Sequence, residues 1–492
     1  MSNKQMIALG IIFVYMIATI VLGLAVSKIK AAKAGKQSND DFLMASKSLG
    51  PIVLAGTLFA ANTGGASTTG IATNVYMYGL SASWYVIAAG IGFVLVSFIA
   101  PYFRKAQAST VPQIIGKRYG KASHIFTAFT SIAALFMATG AQIIATASII
   151  NVVTGLDFSI AAVVITIVVI AYTMVGGFQS VAAANLMHVL FITVGMTIAM
   201  LVMVTGKDVG GFSALFERAA VMTDTAGNNL DLLSMTKIGF TTIIGYIAMY
   251  FMTFPTGQEI VQTFCSAKDG KSAKLGSVIA GVLSAAYAIV PAIIGLIAYT
   301  YIDGYAAAGA QTNAMADATM RFAPAGVAGI VLAAVVAATM SSASGNMIGT
   351  ATMFTNDVFR PYINHGQQDD QKEIWISRVV MVVVGAVGLF VALTASNIIS
   401  VMMGAFALRS AGPFAAFICG LFYKNVTQRA GFISIVAGTA VAAFWIYGLG
   451  SPWDLSAIVP GGLVAFVVIF IASALDRKAG AEPAPLIEFE DE

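Results

Sequence analysis

PIVLAGTLFAANTGGASTTG, residues 51–70, is an apolar stretch broken at its centre. There Asn62, Thr63, Ser67, Thr68 and Thr69 stand beside Gly56, Gly64, Gly65 and Gly70. A lipid-facing helix has no use for that much polarity, or for glycines that weaken its hydrogen-bonded ladder. Backbone that leaves the ladder inside hydrocarbon must be satisfied by protein, water or a ligand. The stretch therefore reads as a broken helix lining a site.

The chain around it supplies the hydrocarbon setting. Of its 492 residues 58% are hydrophobic and 10% charged, with a mean hydropathy of +0.87; a soluble domain carries about 25% charged residues. The fold class is an all-α polytopic membrane protein, and a soluble enzyme is excluded. The net charge of +4 is no nucleic-acid footprint, because the basic residues sit in short loops without a recognition module. Neither a Walker motif, a dinucleotide fingerprint nor H-E-x-x-H occurs, and GKRYGK at 116–121 lacks phosphate-loop spacing. Cys265 and Cys419 lie on different segments, and His124, His188 and His365 form no ligand motif, so no disulfide framework or metal cluster is expected. The first apolar run is long and followed by a basic segment, so no cleaved signal peptide is expected.

About thirteen candidate spans follow, at 4–27, 49–72, 79–101, 123–150, 157–175, 185–206, 236–262, 274–300, 323–350, 376–394, 398–423, 429–449 and 457–475. Each is close to or above the roughly 20 residues a helix needs to cross hydrocarbon. With the N-terminus outside, inner loops hold most of the basic residues, from Lys28 through Arg104, Lys117, Lys268, Arg360 and Lys424 to Lys478. Only Lys4, Lys207, Arg218, Lys237 and Arg321 fall outside. This asymmetry favours N-terminus out and C-terminus in. The connections 207–235 and 301–322 read either as short amphipathic helices over an outer vestibule or as plain solvated loops. The tail, 479–492, is acidic and proline-containing and is expected to be disordered. Trp84, Trp375, Trp445 and Trp453 fit membrane interfaces.

A second informative stretch is VVAATMSSASGNMIGTATMFTNDVFRP, residues 335–361. Ser341, Ser342 and Ser344 lie in an otherwise apolar span, with Thr339 and Asn346 nearby. Hydroxyls and freed backbone carbonyls can coordinate a dehydrated Na+ without formal charge. Small hydroxylated residues also let helices pack closely, or bond to their own preceding turn. Composition leaves both readings open.

Ala60-Ala61-Asn62-Thr63, with Ala338-Thr339-Met340-Ser341-Ser342 far downstream, resembles the sodium:solute symporter family. TMVGGFQSV at 173–181, TVPQIIGKRYG at 110–120 and GPFAAFICGLFYKNVTQRAG at 412–431 extend the resemblance over about 38–450. It implies a leucine-transporter-like core of two five-helix repeats of inverted topology, within one transport domain spanning 1–492. The repeats would be 49–206 and 236–423, with 4–27 and 429–475 peripheral. It further implies a Na+ site made of the backbone carbonyls of Ala60, Thr63 and Ala338 and the hydroxyls of Ser341 and Ser342. Five neutral oxygens suit a small hard cation. Some relatives have a second sodium site, where this chain reads Asn185, Ser344 and Gly345; the uncharged side chain and missing hydroxyl lead to an expectation of one coupled Na+.

The resemblance places a solute pocket at Asn62, Gly64, Ala66 and Ser67, with Gln142, Tyr250, Thr253 and Phe254. Gln142 could equally bond a neighbouring helix, and Pro255 with Gly257 should loosen the seventh span by ligand-related design or as a simple kink. Arg409 lies near mid-depth, where it must face the bundle interior. It suits a solute carboxylate, or it is a strut to helix carbonyls or to an acid such as Glu259 or Asp357. Gln258 and Glu259 are gate candidates, with a solvated helix end as the alternative, and Asp357 reads as a cap or loop anchor. His188 by itself does not establish proton coupling.

The expected activity is sodium-coupled symport of a small polar solute into the cell by alternating access, with no bond made or broken. The solute is expected to bear a carboxylate, as an amino, organic or sugar acid. A sugar or other neutral solute is the alternative, followed by a proton-coupled transporter or a solute sensor. Expected partners are the solute, Na+ and membrane lipid, with no nucleic acid and no obligatory protein partner. The expected location is the cytoplasmic (inner) membrane of a bacterium. No kinase, receiver or nucleotide-binding domain is read after Ala479, which weighs against the sensor.

Overall fold

In hydrocarbon each backbone N–H and C=O must find a partner within its own segment, and the helix does this for a single span. The computed structural model accordingly shows helices and no named strand among the residues it describes, which are 2–34, 48–105, 110–223, 227–305, 313–395 and 397–485. Lys36 and Lys47 lie outside the described residues.

The first span is α1 (Asn3–Ala34). The span expected at 49–72 is α2 (Pro51–Asn62), a break, a π-helical turn at Ala66–Gly70, and α3 (Ile71–Tyr78). Next come α4 (Trp84–Val96) and α5 (Val111–Thr154), the latter interrupted by a left-handed Gly120 (φ 81°). The fifth and sixth expected spans are joined without an intervening loop. α6 (Phe158–Leu190) passes through π-helical Phe191–Gly195 into Met196–Thr205, while the side chains at 175–184 lie outside the description.

The seventh span is also divided. α7 (Phe240–Thr253) gives way to a 3-10 turn at Phe254–Thr256, and α8 (Gln258–Cys265) resumes after extended Gly257. α9 (Gly270–Tyr287) and α10 (Ile289–Tyr301) form one crossing. α11 (Ala325–Met353) continues into π-helical Phe354–Ile363, followed by α12 (Asp370–Thr394). The span expected at 398–423 is two helices, α13 (Ile398–Ser410) and α14 (Pro413–Phe422), bent by 44°. Pro413 cannot donate to the preceding turn, so the ladder stops there. α15 (Gln428–Tyr447) and α16 (Ile458–Lys478) pack on each other at the end of the chain.

Nine of the described helices are long and apolar enough to cross a membrane, ten with the α13–α14 pair. The expected count was about thirteen. The difference arises where broken spans leave halves too short to qualify alone, at α2 and α7–α8, and at 157–175, where the described apolar stretch Phe158–Met174 is shorter than a full span. The connections 207–235 and 301–322 both contain short helices, Phe212–Ala220 and Ala314–Phe322.

Side chains mark several helix starts. Asp157 accepts the Ser159 amide at 2.8 Å, Asp269 that of Ser272 at 2.6 Å, and Asn397 that of Ser400 at 3.0 Å; each satisfies an orphan N–H. These amides hold the carboxyls of Asp157 and Asp269 below their ordinary range. At the centre, α11 is buried along most of its length, in contact with α1, α5, α6 and α12.

The described part of the tail, 479–485, is bonded to the rest of the chain. The Ala484 amide donates to Val426 O at 2.7 Å, and the fully buried Arg118 donates Nη1 to Ala484 O (2.9 Å) and Pro485 O (2.7 Å). Its Nη2 reaches Tyr423 O at 2.9 Å. A buried guanidinium must be hydrogen-bonded, and the tail carbonyls meet that need. Residues 486–492 of the expected disordered tail lie outside the described residues.

Candidate functional site

The helix break at Thr63–Gly65 organises the site. α2 ends at Thr63 (φ −90°, ψ 79°), and the freed Gly65 N–H donates to Gln142 Oε1 at 2.7 Å. A Cβ on Gly64 would lie 2.4 Å from that oxygen and 2.8 Å from Ser342 Oγ; one on Gly65 would lie 2.3 Å from the Ala145 Cβ. Only glycine permits such an approach of backbone to α5 and α11. The break's carbonyls are met locally, Ser67 Oγ donating to Asn62 O and Thr68 Oγ1 to Gly64 O, each at 2.9 Å. Of the polar residues that mark this stretch in the sequence, Ser67 and Thr68 are engaged by its own backbone, whereas Asn62 Nδ2 and the hydroxyls of Thr63 and Thr69 are buried without a partner.

Beside the break, Ser342 Oγ donates to Ala61 O at 3.1 Å and Ala60 O at 3.3 Å. Ser341 Oγ instead donates to Asn185 Oδ1 at 2.5 Å. Ala338, one turn earlier on α11, is fully buried, as is Thr63, whose hydroxyl has no partner. Ser344 bonds its own helix at Met340 O (2.7 Å) and accepts from Thr173 Oγ1 (3.0 Å). Asn185 therefore joins the serine pair rather than Ser344, and the Cβ position of Gly345 faces open space.

Asn62, Gly64, Ala66, Ser67, Gln142, Tyr250, Phe254 and Arg409 line one small pocket, together with Ser342. Its open volume is about 30 Å3, enough for one or two waters. A solute needs it wider. Thr253 is not in the lining; its hydroxyl meets Ser410 Oγ at 3.2 Å, where Thr256 also donates at 2.7 Å, tying α7 to α13. Tyr85, Asn346, Met402 and Phe406 line the pocket without having been expected there. Asn346 was readable as a polar residue one turn beyond Ser342; Tyr85 and Phe406 look like any aromatic residue of an apolar span.

Those aromatics fill the space. Tyr250 lies 5.5 Å from Tyr85, 5.2 Å from Phe254 and 5.9 Å from Phe406 between ring centroids. Tyr85 also meets Tyr246 edge-on at 5.6 Å. Tyr246 borders a second cavity of about 350 Å3 with Asn74, Asn397 and Met403.

Arg409 is 2% exposed, and its Nη1 lies 2.7 Å from Glu259 Oε1 and 2.9 Å from Oε2. Of the acids considered, Glu259 is therefore its partner and Asp357 is not. Asp357 accepts from Thr110 Oγ1 at 2.9 Å and lies 3.0 Å from His124 Nε2, an anchor between the end of α11 and the start of α5. Gln258 Oε1 accepts the Val111 amide at 3.1 Å, joining α8 to the same place. His188 meets the Tyr15 hydroxyl at 2.6 Å on the α1–α6 contact. No group of three His, Cys, Asp or Glu placed to hold a metal occurs among the described residues.

The family model described as sodium:solute symporter family matches residues 42–438. A sodium/glucose cotransporter of Vibrio parahaemolyticus is 26% identical, over 88% of this chain and 83% of that one. The osmoregulated proline transporter OpuE of Bacillus subtilis is 24% identical, over 97% and 96% respectively. Among solved structures, a Na+-coupled sialic acid symporter in a substrate-bound outward-open state shares the fold with a TM-score of 0.79 and 18% identity, covering 98% of this chain and 99% of that one. The transporter MhsT in complex with L-phenylalanine is also similar, at a TM-score of 0.55 and 12% identity, covering 89% of this chain and all of that one (100%). The neighbours are transporters of the leucine-transporter-like fold.

Proposed function

The chain belongs to the sodium:solute symporter family, and from that premise we propose that it carries a small polar, carboxylate-bearing solute into a bacterial cell with one Na+. Transport is by alternating access across the cytoplasmic membrane, N-terminus outside, with 49–206 and 236–423 as the two repeats. The observation that carries the solute reading is Arg409, a nearly buried guanidinium in the pocket beside the broken helix. Such a group recognises a planar carboxylate through paired hydrogen bonds.

Ala60, Thr63, Ala338, Ser341 and Ser342 supply the sodium oxygens in this reading. Its support is the donor chemistry: neutral carbonyls of Ala60, Thr63 and Ala338 and hydroxyls of Ser341 and Ser342, with Ser342 on the Ala60 and Ala61 carbonyls beside the end of α2. Na+ would hold the end of α2 against α11. Since Ser342 also borders the pocket, ion and solute each favour the state that binds the other. Asn185, neutral and bonded to Ser341, supports a single coupled ion.

A neutral solute is the second reading, and one observation favours it: Glu259 already neutralises Arg409. A thermal-stability screen of purified protein against small acids, sugars and amines, in NaCl and in choline chloride, separates the two. An acid that stabilises only with Na+, and not in Arg409→Ala or Ser342→Ala, supports the proposal. A sodium-independent hit would sink the coupling. A sugar hit indifferent to Arg409 would favour the neutral solute.

A further inference from the structure

The pocket already contains a carboxylate, and it belongs to the protein. Glu259 stands in the first turn of α8, just past the second helix break, and meets Arg409 from across the pocket. The pair has an uneven geometry. Both Glu259 oxygens fall on the single nitrogen Nη1, at 2.7 and 2.9 Å, while Arg409 Nε is buried without a partner. The guanidinium lies against backbone, since a Cβ on Gly257 would come 2.8 Å from Nη2.

The same molecule shows the alternative geometry. Arg360 meets fully buried Glu373 through two nitrogens, Nε to Oε1 at 2.8 Å and Nη2 to Oε2 at 2.6 Å. That parallel fork is the strong arrangement for a planar carboxylate and suits a permanent strut. Arg409 and Glu259 are held by a weaker contact, in a pocket rather than in packed protein.

We propose that Glu259 is an internal stand-in for the solute's carboxylate, holding Arg409 while the pocket is closed and giving it up when an acid binds. This rests on the carboxylate reading above. An arriving carboxylate can take the unfilled Nε edge in the two-nitrogen geometry that Glu259 lacks. Two carboxylates on one buried guanidinium then repel each other, and the one left unpaired must regain water. Glu259 is at the start of a short helix joined to the pocket by Gly257, so its withdrawal loosens α8. Binding of the acid thereby frees the element that shuts the pocket, and a neutral solute does not. Until then Glu259 lowers the apparent affinity for acids, because only the fraction of molecules with Arg409 free can bind.

The test uses the full chain in detergent with NaCl, acetate as the acidic probe and acetamide as its neutral counterpart. Glu259→Gln should bind acetate roughly tenfold more tightly than the parent, and Glu259→Asp should fall between them. Cys265, buried at the end of α8, reports the motion in a Cys419→Ser background. Its labelling by a water-soluble maleimide should quicken with acetate but not acetamide, and should be fast in Glu259→Gln without either. Weaker acetate binding in Glu259→Gln overturns the proposal, because Glu259 would then be a solute ligand or a strut. So does unchanged Cys265 labelling with acetate bound. If acetate fails to bind both parent and Glu259→Gln while glucose binds regardless of Arg409→Gln, the carboxylate reading falls first and this inference with it. Should Glu259→Gln not fold, Glu259→Asp carries the same two readouts.

Discussion

Gln142 shows what a side chain can do for broken backbone. Its Oε1 accepts the Gly65 amide at 2.7 Å, so Gln142→Leu leaves a buried donor unmet and should cost about 1–3 kcal/mol. Thr63→Val removes a buried hydroxyl that has no partner and should be nearly neutral or stabilising in Na+-free buffer. Thermal unfolding of both variants checks the pair, and equal losses would count against this role for Gln142. Arg409 and Glu259 allow a second comparison. Arg409→Ala strands Glu259 and should cost about 3–5 kcal/mol, whereas Arg409→Met with Glu259→Leu should recover most of it. A double-mutant cycle with no coupling would show that the two charges are independently solvated. Neither partnership was settled by the sequence, which left Gln142 open between solute and neighbouring helix, and Arg409 between solute and strut. Both choices depend on which atoms lie within 3 Å, and residues 142 and 65, or 409 and 259, meet only on folding.

The elements that matter most are the ones that fail as helices. A methyl on Gly65 would collide with Ala145 at 2.3 Å, so Gly65→Ala should push the break away from α5 and abolish sodium-dependent uptake while leaving the protein in the membrane. Uptake at parental rates would show that the close approach is dispensable. The break was legible because polar and glycine residues have few other reasons to interrupt an apolar span. The α13–α14 bend was less so, since Pro413 alone does not set an angle. A short connecting element gives a pH test. Asp317, on Ala314–Phe322, has its carboxyl raised above the ordinary value by burial, with the Tyr305 hydroxyl partly offsetting the rise. Between the unfolded and the raised folded value the folded chain binds the additional proton. The contribution is therefore fully present below the ordinary carboxylate value and is lost as pH rises through the folded one. Asp317→Asn should flatten the melting temperature across that window; an unchanged slope would assign the titration to another group.

For the whole molecule, coupling is a statement about stability in two ions. An acid at 100 times its dissociation constant should stabilise the protein by about 2.7 kcal/mol in NaCl and by almost nothing in choline chloride. Equal shifts in both salts would mean that solute binding does not require Na+. The pocket of about 30 Å3 further implies that binding widens the bundle, so solute should alter amide exchange in α2, α3, α7 and α8 more than in α11. By itself the sequence determined the membrane class, the family and the position of the first break. Those depend on hydropathy, on local polarity and on motif order along the chain, all of which are linear properties. The tertiary structure alone decided that Thr253 leaves the pocket for Ser410, that Asn185 joins Ser341, and that residues up to Pro485 return to Arg118. It also decided that Glu259 occupies Arg409. Each of these is a contact across more than a hundred residues, and desolvation forces buried polar groups to find partners without regard to their separation in the chain.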